Sequence, residues 1–469
     1  MKRSDLKGKK VTVFGLGINE GGVGTVEFLE HSGVREIIVT DVKKREDLAL
    51  SLKRLEKYRN ITYVLGAHRP EDFSRTDLVI KNPAIPWTNE YIRLAEKSGV
   101  PVEMDSSLFF LFCKNPIIGV TGTRGKTTTA SMIAHILKMA RMPVAPVGIS
   151  QVPVLGALEK IKPEDTIIFE LSSWRLSALG RIKRSPHIAV FTNLYPDHLN
   201  YYKTLLAYRK DKEHIYRFQK KSDIAIFNAD NDTTRALSEE STGKTLRFSL
   251  GGSIDGDGAF FRGNEAIVRV DGEETAIFSS RDIGVPGEHN RANALAAGLV
   301  AFLCGVSNKM ISDGIRSFRG VPHRLEFVAE KRGISYYNDT AATSPDGAIA
   351  ALRSFEGKSI ILIAGGADKN LLFGSFAAEI LSRTKGVVFF RGEATEAIKR
   401  ELRKIMQGGT DAKFETVDSM AKAVEMASRS AEPGDIILLS PGAASFGVFK
   451  NEFDRGEQFR TAVAELPEK

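Results

Sequence analysis

The sequence predicts an α/β protein of three domains, each built on a largely parallel sheet, and three observations carry that expectation. Short β-rich runs alternate with helical patterns almost throughout, the signature of parallel layers. Two glycine-rich turns, GLGINEGGVG at 15–24 and TGTRGKTTT at 121–129, each follow an apolar strand and open a helix. The chain of 469 residues is too long for one ordinary core and suits about three.

The elements follow in order. Strand KKVTVFGLG leads through its glycine turn into a helix over VEFLEHSG and strand REIIVTD. Strands ITYVLG, TDLVIKNPAIP and VPVEM complete a first, Rossmann-like domain, 1–104, with helix NEYIRLAEKSG before the last strand. Strand NPIIGVTG opens a central domain, 105–320, of the phosphate-loop ATPase type, and runs into helix KTTTASMIAHILKMA. Strands DTIIFELSS, HIAVFTNL and DIAIFNAD continue it, with helix LLAYRKDKEHIYRFQKK between the last two. The stretch AFFRGNEAIVRVDGEETAIFSS alternates short strands with RGN and DGE turns and predicts a small antiparallel insert. Helix NRANALAAGLVAFLCG closes the domain. From VPHRLEF onward, ISYYND, SIILIAGG, GVVFFRG and DIILLSPG with intervening helices make a third, Rossmann-like domain, 321–469.

Composition narrows the function. Hydrophobic residues make up 42% and charged residues 26%, as in a soluble globular protein, and no apolar run is long enough to span a bilayer. The basic start opens onto glycines and reads as a first strand, not as a secretory signal. Cys113 and Cys304 stand far apart among apolar neighbours, which predicts buried free thiols and a cytoplasmic protein. The net charge is +8, but basic residues are interleaved with acids. That pattern disfavours nucleic acid and favours polyanionic small substrates.

The two glycine turns carry different chemistry. In Gly122-Thr123-Arg124-Gly125-Lys126-Thr127-Thr128 the glycines let backbone N–H groups close on phosphate oxygens. Lys126 is placed for the outer phosphates and Thr127 for Mg²⁺, so ATP or GTP binding is expected. Val120 takes the first glycine position of the common loop pattern, and Gly122 lies inside the loop. Glu170 ends an apolar strand of the same domain, and Asp197 and His198 follow the next strand past Asn193. Carboxylates and imidazole at one end of adjacent strands form a candidate metal corner. The first turn has glutamate where G-x-G-x-x-G needs its last glycine, so nucleotide-moiety binding at Leu16-Gly17-Ile18-Asn19, with Asp41 ending the next strand, is favoured over nicotinamide chemistry.

The segments TGTRGKTTT, ELSS, NLYPDHL, YRKDKEHIY, GEHNRANALAA, VPHRLEF and SPGAASFGVFKNEFDRGEQF resemble, in order and approximate spacing over essentially the whole chain, those of the Mur ligases. The closing FKNEFDRGEQF and the compact first domain resemble the branch that adds D-glutamate to UDP-N-acetylmuramoyl-L-alanine in building bacterial cell-wall precursors. The resemblance implies an ATP-dependent, Mg²⁺-assisted ligase working through an acyl phosphate, a cytoplasmic monomer with those two substrates. It implies catalytic roles for Lys126, His198 and Lys212, the last as a carbamate, and metal binding by Thr127, Glu170, His198 and Lys212. It further implies ATP contacts from Asn290, Asn293, Arg324 and Asp339, and a diphosphate contact from Asn82. Thr343, Lys369, Ser445 and Phe453 fall at or beside the acceptor amino-acid positions. Read without the resemblance, Lys212 would be a solvated helix-face lysine beside Arg209 and Lys210.

The chain also departs from the family pattern. Arg124 stands where asparagine is common, and Asp339-Thr340-Ala341-Ala342-Thr343-Ser344 lacks the lysine and final asparagine of D-S-K-A-T-N. Gly148-Ile149-Ser150-Gln151 replaces a G-N-I-G element, and Phe453 is one place from the family's pocket aromatic. These changes leave open a different acceptor, such as L-glutamate, and a nucleotide-gated regulatory protein without catalysis remains the alternative from another class.

Overall fold

The computed structural model describes residues 1–17, 20–149, 153–197, 199–368, 371–406 and 414–467. They form three mainly parallel sheets. The first comprises β1 (Lys10–Phe14), β2 (Glu36–Asp41), β3 (Ile61–Leu65), β4 (Leu78–Lys81) and β5 (Val102–Glu103), ordered β3-β2-β1-β4-β5 and parallel throughout. Its winding reverses between β1 and β4, and ligands of open α/β sheets sit at such reversals beyond the strand ends. The turn at Gly15–Gly17 and Asn82 lie at that place.

The second sheet holds β6 (Ile117–Thr121), β7 (Val144–Val147), β8 (Thr166–Glu170), β9 (Ile188–Phe191), β10 (Ile224–Asn228), β11 (Lys244–Ser249), β12 (Gly258–Arg262), β13 (Glu265–Val270) and β14 (Glu273–Ser279). Their order is β14-β13-β12-β11-β10-β9-β6-β8-β7. All five residues of β6 are buried. A parallel strand covered by helices on both faces needs such an unbroken apolar run. β12, β13 and β14 pair antiparallel, as their turns predict, but β12 joins β11 in parallel. The expected insert is thus the extended edge of the central sheet, attached through a strand, KTLRFS, that the sequence reading passed over.

The third sheet holds β15 (Glu326–Lys331), β16 (Ile334–Asn338), β17 (Ile360–Ala364), β18 (Thr384–Phe390), β19 (Glu415–Val417) and β20 (Ile436–Leu439), ordered β15-β16-β20-β17-β18-β19. Only β15–β16 is antiparallel.

The chain divides into two compact units, Met1–Asp282 with Ala292–Ile315, and Ile283–Arg291 with Arg316–Lys469. The first unit contains the first two sheets, which share one apolar core. Helix Asp105–Phe112 joins them, with Phe109 edge-on to Phe169 at 5.1 Å and Phe112 stacked on Phe28 at 6.2 Å. The helix expected over LLAYRKDKEHIYRFQKK spans only Leu205–Glu213, and the chain then turns while still burying Ile215 and Tyr216. Cys113 and Cys304 are free thiols, partly buried. Among the described residues no helix is long and apolar enough to cross a membrane.

Helix Glu20–His31 begins so close to the preceding turn that a Cβ on Gly22 would lie 1.9 Å from the Leu16 carbonyl oxygen. Backbone cannot yield cheaply there, so this glycine is dictated by packing. Gly22→Ala is expected to cost on the order of 2 kcal/mol or more, read as a thermal midpoint lowered by several degrees. An unchanged midpoint would contradict the close approach.

Candidate active site

β6 delivers the chain to the phosphate loop, and helix Lys126–Met139 leaves it after Gly125, whose φ is 81°. Gly122, at φ 150°, lies so close to Thr192 that a Cβ would fall 2.0 Å from its Oγ1. The segment after β9 braces the loop from beside it. Thr123 N donates to Asn193 O at 2.9 Å, and Arg124 N to Asn193 Oδ1 at 2.9 Å. Arg124 O accepts from Thr192 Oγ1 at 2.6 Å and from Asn193 Nδ2 at 3.2 Å. Lys126 Nζ donates to Thr123 O at 3.0 Å, folded over its own loop. Thr127 and Thr128 stand on the helix's first turn, half-buried. One turn on, Thr129 Oγ1 donates to Asn293 Oδ1 at 3.1 Å, which places Asn293 beside the loop.

Beneath the loop lies Lys212. The helix carrying it also bears Arg209, paired with Glu213 and Glu240, and Lys210, which is exposed. Lys212 points the other way, is 1% exposed, and donates to Gly122 O at 2.7 Å and Thr121 Oγ1 at 3.4 Å. The solvated reading of this lysine is therefore wrong. Burial drives its ammonium well below the ordinary lysine range, and repulsion from Lys126 adds to the effect. Asp197 and Glu170 pull in the opposite direction without reversing it. Glu170 ends β8 in register with Val120 of β6, which sets its carboxylate at the loop's edge of the sheet. Tyr208, missed in the sequence, packs its ring 4.9 Å from Lys212 Nζ and sets its hydroxyl 3.3 Å from Thr123 Oγ1. Burial pushes that phenol up to about 12.

His198 lies outside the described residues, and among those described no group of three or more His, Cys, Asp or Glu gathers around one point. Two carboxylates near a phosphate loop still fit Mg²⁺, which commonly takes one or two protein carboxylates and completes its shell with phosphates and water.

In the first sheet, Asp41 is 5% exposed and fixes the glycine turn: Gly17 N donates to its Oδ2 and Lys43 N to its Oδ1, each at 2.9 Å. Asn82 donates to Gly15 O at 3.3 Å and accepts from Ala84 N at 3.0 Å, so the ends of β1 and β4 are tied together. Leu16 is fully buried. Ile18 and Asn19 lie outside the described residues.

In the second unit, Asp339 is buried after β16. Its Oδ2 accepts from Ser440 Oγ at 2.8 Å and its Oδ1 from Leu325 N at 3.1 Å. Burial pushes its carboxyl up to about 7, although these donors and the charges of Arg324 and Arg455 act the other way. Arg324 is exposed on a bend between His323 and Leu325, at φ 68° and 42°. Asn290 Nδ2 donates to Pro286 O at 2.6 Å. Thr343 is half-buried, Ser445 is 3% exposed, and the Phe453 ring lies edge-on to His323 at 5.5 Å. Lys369 lies outside the described residues. Arg455, a second residue missed in the sequence, is fully buried and donates to Thr340 Oγ1 and Thr340 O, both at 2.9 Å, and to Ala443 O at 3.3 Å. It clamps the segment after β16 to the one after β20. Only its place in FKNEFDRGEQF marked it, and a lone arginine among acids on a helix start reads as solvated.

Comparison with known proteins gives the class. Residues 9–103 match the family model of the Mur ligase MurD-like N-terminal domain, 120–301 the Mur ligase middle domain, and 323–442 the Mur ligase glutamate ligase domain. The chain belongs to the Mur ligase family. Among its relatives, the UDP-N-acetylmuramoylalanine–D-glutamate ligase of Roseiflexus sp. strain RS-1 is 41% identical over 98% of this chain and 99% of that one. The enzyme of the same name from Borreliella afzelii strain PKo is 36% identical, covering 99% of both. In fold the chain is similar to UDP-N-acetylmuramate–alanine ligase from Thermotoga maritima, with TM-score 0.59, 21% identity, and 97% and 99% of the two chains covered. It is also similar to MurF ligase from the same organism in complex with ADP, with TM-score 0.57, 17% identity, and coverage of 99% and 97%.

The buried Asp339 makes stability depend on pH. The carboxyl ordinarily ionises near 3.8 but in the fold near 7. Between those values the folded state holds the extra proton, so this residue's contribution falls as pH rises. Asp339→Asn removes the dependence. Denaturant titrations should show the variant gaining stability relative to the parent from about pH 4 to about pH 7, then levelling. A relative loss over that window would contradict the assignment.

Proposed function

We propose that the protein joins D-glutamate to the alanine carboxylate of UDP-N-acetylmuramoyl-L-alanine, driven by ATP, in peptidoglycan precursor synthesis. The observation that carries the reading is Lys212, buried beneath the phosphate loop and donating to the Gly122 carbonyl at 2.7 Å, where burial drives its ammonium well below the ordinary lysine range. Near-full-length kinship with D-glutamate ligases supplies the substrate assignment.

A carboxylate resists attack by an amine, so one of its oxygens is first made a leaving group. The alanine carboxylate oxygen bonds to the γ-phosphorus as the bond from that phosphorus to the β–γ bridging oxygen breaks, releasing ADP. The glutamate amine, after losing a proton, adds to the acyl carbon. The tetrahedral intermediate then collapses, forming the C–N bond and expelling inorganic phosphate. Little of this is covalent work by the protein, which positions the reactants and balances negative charge.

Lys126 swings from Thr123 O to the γ-phosphate, while the N–H groups of Gly122–Thr128 hold the β-phosphate. An uncharged Lys212 amine has the lone pair to add to CO₂, forming an N–C bond with loss of one proton, and the resulting carbamate joins the ligand set of Thr127, Glu170 and His198. Mg²⁺, when bound there, offsets the repulsion between triphosphate and carboxylate. Asn290, Asn293, Arg324 and Asp339 are assigned to the rest of ATP. Leu16, Gly17, Ile18, Asn19, Asp41 and Asn82 are assigned to the UDP moiety. Thr343, Lys369, Ser445 and Phe453 are assigned to the incoming glutamate. The enzyme acts as a monomer in the cytoplasm in this reading.

With ATP, Mg²⁺, UDP-N-acetylmuramoyl-L-alanine and radiolabelled glutamate, ADP release should require both other substrates, and D-glutamate should enter product in preference to L-glutamate. ADP release indifferent to them would overturn the ligase reading, and preference for L-glutamate would overturn the acceptor. Lys212→Ala should lose most activity, roughly 100-fold as for loss of one preorganised charge partner, with partial recovery on adding short-chain carboxylic acids. Parental rates without added acid would remove the carbamate.

A further inference from the structure

We propose that Arg124 is a further catalytic residue, one whose guanidinium contacts the γ-phosphoryl oxygens while that group passes from ATP to the substrate carboxylate; the inference rests on the ligase reading above. The backbone of Arg124 is fixed on both sides. Its N–H is held by Asn193 Oδ1 at 2.9 Å, and its carbonyl by Thr192 Oγ1 and Asn193 Nδ2 at 2.6 and 3.2 Å. Its side chain is exposed and makes no hydrogen bond or ion pair among the described residues. Those bonds fix where the side chain leaves the loop, and the exposed guanidinium has no protein partner among the described residues to hold it away from a ligand.

Charge gives the reason for a cation there. The loop and the first turn of its helix carry two basic side chains, Arg124 and Lys126, and Lys126 is folded back onto Thr123 O. Glu170, in register with Val120 at the loop's edge of the sheet, brings negative charge to the same place. A γ-phosphate meeting a carboxylate there adds more.

In the step concerned, the bond from the γ-phosphorus to its bridging oxygen breaks, a bond to the carboxylate oxygen forms, and ADP leaves with the bridging electrons. Charge spreads over the three equatorial oxygens meanwhile. A planar guanidinium bonds two of them at once, which an ammonium or an amide cannot do. An asparagine at this place would lack the charge as well as the fork.

The test is Arg124→Asn and Arg124→Lys in the full-length enzyme, with four readouts: kcat, KM for D-glutamate, thermal midpoint, and calorimetric affinity for ADP against a non-hydrolysable ATP analogue. Arg124→Asn should lower kcat by about 100-fold, the low end for removing one transition-state charge partner. The ATP analogue should lose its advantage over ADP, while ADP affinity, KM for D-glutamate and the midpoint hold. Arg124→Lys should fall between. An unchanged kcat, or equal weakening of ADP and the analogue, would overturn the proposal. Should the parent enzyme turn over ATP without making an amide, the ligase reading fails, yet the ATP-against-ADP discrimination still decides whether Arg124 meets the γ-phosphate.

Discussion

The burial of one amine beneath the phosphate loop is the constraint on which the site depends. Removing a lysine from water is costly unless its charge is lost or met. For Lys212, burial shifts the balance toward the uncharged amine, and its hydrogen bond goes to Gly122 O at 2.7 Å. The bond acts in both directions: it closes the end of the lysine, and it fixes the carbonyl of the glycine that starts the loop's turn. Tyr208, from the same helix, holds the next residue through Thr123 Oγ1. Arg209 and Arg217 both engage Glu213, anchoring the helix's outer face so that its inner face stays put. Loop and helix thus set each other's shape, and phosphate binding is tied to the protonation chemistry of a residue about 90 positions away in sequence.

Much of the architecture was legible because parallel strands buried on two faces write themselves as unbroken apolar runs. IIGVT, IILIA and IILL are fully buried in β6, β17 and β20. KTLRFS was passed over because its polar residues alternate with apolar ones, and its partners β10 and β12 are defined only by tertiary pairing. The hairpins of β12 to β14 were visible from their turns, while their attachment to the central sheet was not, since no local signal encodes a parallel join. The helix from Leu205 was read too long because Ile215 and Tyr216 continue an apolar period after the chain has left the helix.

Site residues divided along the same line. The phosphate loop was readable because its glycines, lysine and threonines are contiguous, so one segment carries the whole chemistry. Lys212 was not readable from its own surroundings: in YRKDKE it looks like any charged helix face, and only the fold turns it inward, away from Arg209 and Lys210. Arg455 hid in the same way, its four oxygen contacts falling in segments that meet it only after the third sheet forms. Asp41 ends β2 and Asn82 follows β4, as their segments led one to expect, and the structure adds what pattern could not, namely that both hold the glycine turn through backbone partners.

The central claim is that the nucleotide held above Lys212 passes its terminal phosphoryl to a carboxylate before any amine attacks. The direct measurement uses UDP-N-acetylmuramoyl-L-alanine with heavy oxygen in its alanine carboxylate, followed by mass analysis of the phosphate released on turnover with D-glutamate. The account requires one heavy oxygen to appear in each phosphate, carried there from the acid. Phosphate free of the heavy label, its fourth oxygen taken from solvent, would mean that ATP is hydrolysed apart from the amide-forming step, and the account would be wrong.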